Sequence, residues 1–452
     1  MKTRKILALL MAVLMLFGCM AACGDKGGNT NQTDAPATGG EQGTTGAAAT
    51  GVAFDDAFIA EWGQFIADNE GKDITLSIWA PSKAQDVFKA EAAKFAEMFK
   101  DYFNVNITVS KQEEGDVKGQ VINDPSKAAD VFSFASDQLQ ELVDATALAS
   151  VVFTDDVAAA NTAASVSAAT VGEKIWAYPE TGDNSYFLAY DKRFVTEDQA
   201  KSLEALLAAC KAADKKFTFD SGNSYFACSY LYTGGLQTLG LAEDGITQVF
   251  NDYNIDEVAT TVKAFADLFK EYKGTFESVT TTGFADGVKT DPTTVAAGVI
   301  GSWDVASVKQ VLGDNVGFAI LPTINVGGTD KQIINMFGYK YIGVNNYSKF
   351  PYTAQLLAHY LAGEECQIDR AQQLEWGPSN INAQNLDTVK NNPSMVAILA
   401  QSENSMPQVG ISPTFWSAVD SLGKYVGTSS NNFSIDEVKA EVEACIANII
   451  DE

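Results

Sequence analysis

The sequence predicts an α/β protein of more than one lobe, and three observations carry that prediction. The body of the chain opens on a strand–helix–strand pattern. Residues 73–79 alternate like a strand, Phe88, Ala92, Phe95, Phe99 and Phe103 form one helical stripe, and residues 105–109 alternate again. Such a unit joins parallel strands through a right-handed crossover. The chain has 452 residues, 46% of them hydrophobic, enough for two or more lobes with cores of their own. The third observation is the stretch 172–193, GEKIWAYPETGDNSYFLAYDKR. It reads as a strand at 174–179, turn chemistry at Pro179, Gly182, Asp183 and Asn184, and a second strand at 185–190. Any β-turn-β unit could produce this pattern. Read as the first crossing between two lobes, it turns Asp183 and Asn184 toward a cleft.

The formal net charge of −27 argues against nucleic acid or another polyanion as partner. A single histidine, His359, leaves little room for histidine-based catalysis or a multi-histidine metal site. It lies off the stripe of Leu356, Leu357, Tyr360 and Leu361 and is expected on the surface. No cysteine spacing matches a zinc site, and residues 251–257 lack the glycine and terminal glutamate of a calcium loop. No metal or cofactor is expected. Whether Cys210 and Cys228 pair is left open by the sequence.

Residues 1–22 have a basic start (Lys2, Arg4, Lys5) and an apolar run at 6–17, the pattern of a secretory signal. Cys19 and Cys23 each follow a motif resembling a bacterial lipobox. Cys23 is preferred because Ala21-Ala22 supplies small residues before the cleavage point. Lipid there would hold the chain to the outer face of a membrane. Residues 23–53, rich in Gly, Thr, Ala and Asn, are expected to form a disordered tether.

In chain order, Phe58, Ile59, Trp62, Phe65 and Ile66 recur at helical spacing, with Trp62 expected in the core. Trp79 ends the first strand of the opening unit, where open α/β sheets place ligands. Residues 129–135 form a third strand, followed by Asp137 and Gln138. Asp137 is equally suited to capping the helix at 139–148. Residues 196–211 are helical and 216–219 a short strand. The stretch 224–232 gathers Tyr225, Phe226, Tyr230 and Tyr232 beside a turn. An amphipathic helix spans 255–270. Residues 294–302 are small and apolar and end at Gly301-Ser302-Trp303-Asp304. Strands are expected at 316–322 and 342–344, and helices at 353–362, from 413, and at 435–450. Glu113-Glu114 reads as solvated charge and Trp176 as core. Trp79, Trp303, Trp376 and Trp416 stand at element ends or breaks, where indoles serve cores and sites alike. Flat aromatic rings cover the C–H faces of sugars, while carboxylates and amides satisfy the hydroxyls.

The segments 76–81 (LSIWAP), 129–148 (ADVFSFASDQLQELVDATAL), 174–192, Gly301-Ser302-Trp303, 316–323 (VGFAILPT) and Pro413-Thr414-Phe415-Trp416 together resemble the extracellular solute-binding lipoproteins of ABC sugar importers, the maltose/maltodextrin-binding class. The resemblance covers about residues 71–450. It implies a periplasmic-binding-protein-like fold: two lobes, each a mainly parallel sheet flanked by helices, with the ligand cleft at the hinge. An N-lobe of 54–180 plus 320–376 and a C-lobe of 181–319 plus 377–452 are expected. It implies an oligosaccharide ligand, an ABC permease as partner, and no catalysis. Phe134 and Asp137 fall where the family has a cleft aromatic and a sugar-binding carboxylate. Gln138 stands where an arginine is frequent. Asp183 and Asn184 straddle a ligand-binding acid, and Tyr225 and Phe226 match an aromatic cluster. Trp303 and Trp416 match two tryptophans on which sugars stack. The competing expectations are a lipid-anchored glycoside hydrolase and an adhesive surface protein.

Overall fold

The computed structural model describes residues 54–279, 282–428 and 433–450. The expected signal, Cys19, Cys23 and the tether lie outside these residues. Helix α1 (Asp56–Asn69) forms where expected, capped by Asp55, whose carboxylate accepts from Phe58 N at 2.8 Å. Strand β1 (Asp73–Ala80), helix α2 (Gln85–Phe99) and strand β2 (Asn104–Lys111) make the opening unit, with β1 and β2 parallel from Asp73↔Asn104 to Ala80↔Lys111. Strand β3 (Val131–Ala135) lies parallel on the other side of β1. All five of its residues are buried, as in a strand covered on both faces.

Strand β4 (Tyr178–Asp191) is continuous over 14 residues, and the turn expected at Gly182, Asp183 and Asn184 does not form. Those residues dock a distant segment instead. Gly182 N donates to Gly377 O at 2.8 Å, Gly377 N donates to Asp183 Oδ2 at 2.6 Å, and Thr181 bridges Pro378. A Cβ on Gly182 would stand 3.3 Å from Pro378 O. Small and hydrogen-bonding residues resemble a turn in one dimension; here they let extended backbone accept a neighbour at close range.

Further strands are β5 (Lys216–Thr218), β6 (Phe276–Glu277), β7 (Val295–Gly301), β8 (Val316–Ala319), β9 (Asn335–Val344) and β10 (Ser405–Pro407). Hydrogen bonding runs β6-β5-β7-β4-β9-β3-β1-β2, with β8 also on β4 and β10 also on β9. Every antiparallel pairing in this sheet involves β4 or β9; the other pairings, and β9 with β10, are parallel. Residues 178–185 of β4 pair with β9, and residues 186–190 with β7. The fold is therefore α/β and two-lobed, with β4 passing from one half of the sheet to the other.

One core gathers Leu76, Ile78, Phe95, Phe99, Leu357 and Trp376, beside a cluster around Phe132, Phe134 and Tyr341. A second gathers Tyr186, Leu207, Phe226, Phe265 and Phe415, beside a cluster around Phe187, Ile300 and Val308. Leu321, Ile324, Ile333 and Met336, expected with the first lobe, pack into the core around Tyr186.

His359 is not a surface residue. Its helix (Pro351–Leu361) is buried on every side from Thr353 onward, because Phe54, Phe58, Phe153 and Tyr178 crowd the face that its stripe leaves open. The His359 ring stacks on Phe153 at 4.2 Å and also meets Phe54 and Phe58. Cys210, Cys228, Cys366 and Cys445 are buried free thiols, and Cys228 donates to Tyr225 O at 3.2 Å. Among the described residues no helix is long and apolar enough to cross a membrane.

Candidate functional site

A cleft of about 470 Å³ is lined largely by residues just beyond the carboxyl ends of strands, where open α/β sheets bind ligands. Ser82 and Lys83 follow β1, Glu113 and Glu114 follow β2, and Asp137 and Gln138 follow β3. Trp303 follows β7; Asn223, Ser224 and Tyr225 follow β5 at the start of helix Ser224–Thr233. Asn184, Lys340, Trp376, Gln408 and Trp416 join them, with Pro81, Gly115, Lys118 and Ala135.

Lys340 on β9 is 3% exposed and sets the electrostatics. Its Nζ lies 2.9 Å from Glu114 Oε2, 4.7 Å from the centre of the Trp376 ring and 5.6 Å from that of Trp303. Burial pulls the Lys340 pKa down, but the carboxylates of Glu114 and Asp183 outweigh it, and the group is held above its ordinary value. The ammonium therefore stays charged between two indole faces, a cation–π arrangement. Burial pushes Asp137 up to about 6. Burial also pushes Glu180 up to about 7, against the Arg370 guanidinium, whose Nη1 is 3.5 Å away. Ser133 Oγ links Glu180 to Glu114.

Seven residues singled out from the sequence share this cleft: Asp137, Gln138, Asn184, Tyr225, Trp303, Trp376 and Trp416. Gln138 uses its amide to hold the wall, accepting from Lys118 N at 2.8 Å and donating to Glu114 O at 2.7 Å. The Tyr225 hydroxyl donates to Asn184 O at 3.0 Å. Four others fall outside the lining. Phe134 lies inside its strand, fully buried between Phe132 and Tyr341. Phe226 is buried under Tyr186 at 4.7 Å. Trp79 packs against the core beside Phe132. Asp183 is buried on Gly377 N, so it anchors the segment carrying Trp376 rather than facing the cleft. Most of the lining comes from residues past the strand ends, while Asn184 on β4 and Lys340 on β9 reach the opening from within their strands.

Sequence reasoning missed Lys83, Glu114, Lys118, Lys340 and Gln408. Glu114, expected as solvated charge, is the partly buried partner of Lys340. Lys340 did leave a signal: it is the lone charge in the run NMFGYKYIGV at 335–344. Gln408 left none.

Two ion pairs fix the segment after β7 to residues packed with the other core. Lys83 Nζ lies 2.5 Å from Asp304 Oδ1 and donates to Trp303 O at 3.0 Å. Lys309 Nζ lies 2.8 Å from Glu375 Oε1. Gly301 makes room for Trp303: a Cβ there would meet the indole at 2.2 Å. The result is an aromatic-walled cleft with hydrogen-bonding groups of both polarities. Among the described residues no cluster of His, Cys, Asp and Glu could hold a metal ion.

Comparison with known proteins places this geometry in a family. A galactooligosaccharide-binding protein of Bacillus subtilis (strain 168) is 25% identical over 401 residues, covering 80% of this chain and 86% of the relative. A solved structure with acarbose superposes with a TM-score of 0.73 at 27% identity, covering 83% of this chain and 98% of that one. The unliganded maltodextrin-binding protein of L. casei BL23 superposes with a TM-score of 0.69 at 24% identity, covering 84% and 99%. Residues 90–397 match the family described as bacterial extracellular solute-binding protein, and the chain belongs to that family.

Proposed function

We propose that this chain captures an oligosaccharide of the maltodextrin type outside the cell and delivers it to an ABC importer. The observation that carries the reading is the convergence of Tyr225, Trp303, Trp376 and Trp416 with Lys340, Glu114, Asp137, Asn184 and Gln408 on one cleft. Indole and phenol rings cover the apolar faces of pyranose rings, and the charged and amide groups meet their hydroxyls. The relatives support it: one is named for galactooligosaccharides, and one structure holds acarbose. In this reading the N-lobe and C-lobe close about β4 and β9, and lipid on Cys23 keeps the protein beside its permease. The ligand-binding set is Asp137, Gln138, Asn184, Tyr225, Trp303, Trp376 and Trp416, joined by Lys340, Glu114 and Gln408. Trp79, Phe134, Asp183 and Phe226 support that set from behind.

A hydrolase reading would draw on Asp137, whose raised pKa suits an acid, but it needs a second free carboxylate across the bond at about 5–9.5 Å. Glu114 is engaged by Lys340. The test is calorimetric titration of residues 54–452 with maltotriose, beside galactooligosaccharides and a wider sugar panel, with product analysis of each mixture. Micromolar binding of maltotriose without hydrolysis is expected. Binding only of galactooligosaccharides moves the specificity, hydrolysis overturns the binding-protein reading, and silence across the panel removes sugar as the ligand.

A further inference from the structure

Gln408 is 4% exposed and engaged on all sides. Its backbone N donates to Phe337 O at 2.7 Å, and its carbonyl accepts from Ser136 Oγ at 2.9 Å. Its Nε2 donates to Asp137 Oδ1 at 2.9 Å, and its Oε1 accepts from Asn184 Nδ2 at 2.7 Å. Gly338 leaves the space for this side chain: a Cβ there would stand 2.3 Å from Gln408 Oε1. The polarity of the chain is not free. An ionised carboxylate can only accept, so Gln408 must turn its NH2 to Asp137. Its oxygen then faces Asn184, which must answer with its own NH2. Asn184 Oδ1 and Asp137 Oδ2 are thereby fixed as acceptors on the sides away from Gln408. Asp137, Asn184 and Gln408 all line the cleft, and they come from three elements distant in sequence.

We propose that Gln408 is a positioning residue that locks Asp137 and Asn184 in acceptor polarity, so that this wall selects solutes presenting hydroxyl hydrogens and rejects those presenting a carboxylate there. The proposal rests on the reading of the cleft as the solute site. It explains why a glutamine with no ligand-like context in the sequence is held by four hydrogen bonds. A uronic acid would bring an anion against Asp137, and like charges at such range repel strongly in a buried setting.

The decisive variant is Gln408→Glu, which keeps the shape and removes the donor. Asp137 is otherwise faced by Lys118 and Glu141 and lies near the Tyr225 phenol. At pH 8 the substitution opposes two carboxylates. At pH 5 one shared proton restores a donor between them. Maltotriose affinity of the variant should lie within about 3-fold of the parent at pH 5 and fall at least 10-fold below it at pH 8. The parent should show the opposite slope, binding better as Asp137 ionises. Gln408→Leu, which has no proton to share, should weaken binding without inverting the profile. A parallel slope for Gln408→Glu and the parent overturns the proposal, as does equal affinity for glucuronic-acid-terminated and neutral oligosaccharides. A ligand-free readout separates this from failure of the sugar reading. The melting temperature of Gln408→Glu should drop below the parent's more at pH 8 than at pH 5, and an equal drop at both overturns the relay whatever the ligand.

Discussion

Gly301→Ala tests how the cleft holds its central indole. Gly301 sits at φ −79° and ψ 156°, an extended conformation that alanine adopts without strain. Its role is spatial. The added methyl would meet Trp303 Cε2 and Cζ2 at 2.2 Å, whereas carbon atoms rest about 3.5–4 Å apart. The strand cannot yield, because Gly301 pairs with Tyr186 at the end of the β7–β4 ladder. The ring must therefore retreat by more than ~1 Å, away from its place beside Lys340 and Tyr225. Losing a well-placed aromatic contact should weaken sugar binding by about 1–2 kcal/mol, roughly 5- to 30-fold. The assay is calorimetric titration of a double-mutant cycle. In a Trp303→Ala background the same Gly301→Ala change should cost almost nothing, because no ring remains to be displaced. An equal cost in both backgrounds would show that Gly301 acts on something other than Trp303. Unchanged affinity in the single variant would show that the ring position does not matter to binding.

Trp416→Ala, measured in a variant that melts cooperatively, should weaken binding by about 1–3 kcal/mol; an unchanged dissociation constant removes Trp416 from the site. Arg370 is buried with its Nη2 2.6 Å from Glu91 Oε2 and Nη1 3.5 Å from Glu180. Arg370→Met should therefore cost about 3–5 kcal/mol of stability at pH 8 by stranding two carboxylates. Both carboxyls already sit above their ordinary pKa through burial, and without the guanidinium they hold protons still higher, so the deficit in urea unfolding should shrink at pH 5; equal deficits at both pH values refute the assignment. His359 is neutral in the fold, its pKa lowered to about 4 by burial. Its contribution is complete above the ordinary value near 6.5 and is lost as pH falls toward 4, about 3 kcal/mol in all. Relative to the parent, His359→Phe should gain stability between pH 6.5 and 4, and a pH-independent difference contradicts this.

The sequence carried the periodic features of this protein. The opening βαβ unit, the stripe of Phe88, Ala92, Phe95 and Phe99, and the apolar strand at 131–135 all follow from spacing, because burying one face requires that spacing. The break after each strand also exposed site residues such as Asp137 and Trp303, since strand ends coincide with changes in composition. Tertiary structure alone decided what happens where distant segments meet. The residues of an apparent turn, Gly182 and Asp183, became extended backbone because Gly377 supplies their hydrogen bonds. His359 went inside because Phe153, Phe54 and Phe58, distant in sequence, pack against its ring. Lys340 became the charged floor of the cleft only because Glu114, more than 200 residues away, and two indoles compensate its burial. Gln408 gained its place from Asp137 and Asn184, which no local pattern connects to it. Local periodicity records which faces are buried; it holds no record of the partners that a buried polar group must find, and those partners make the site.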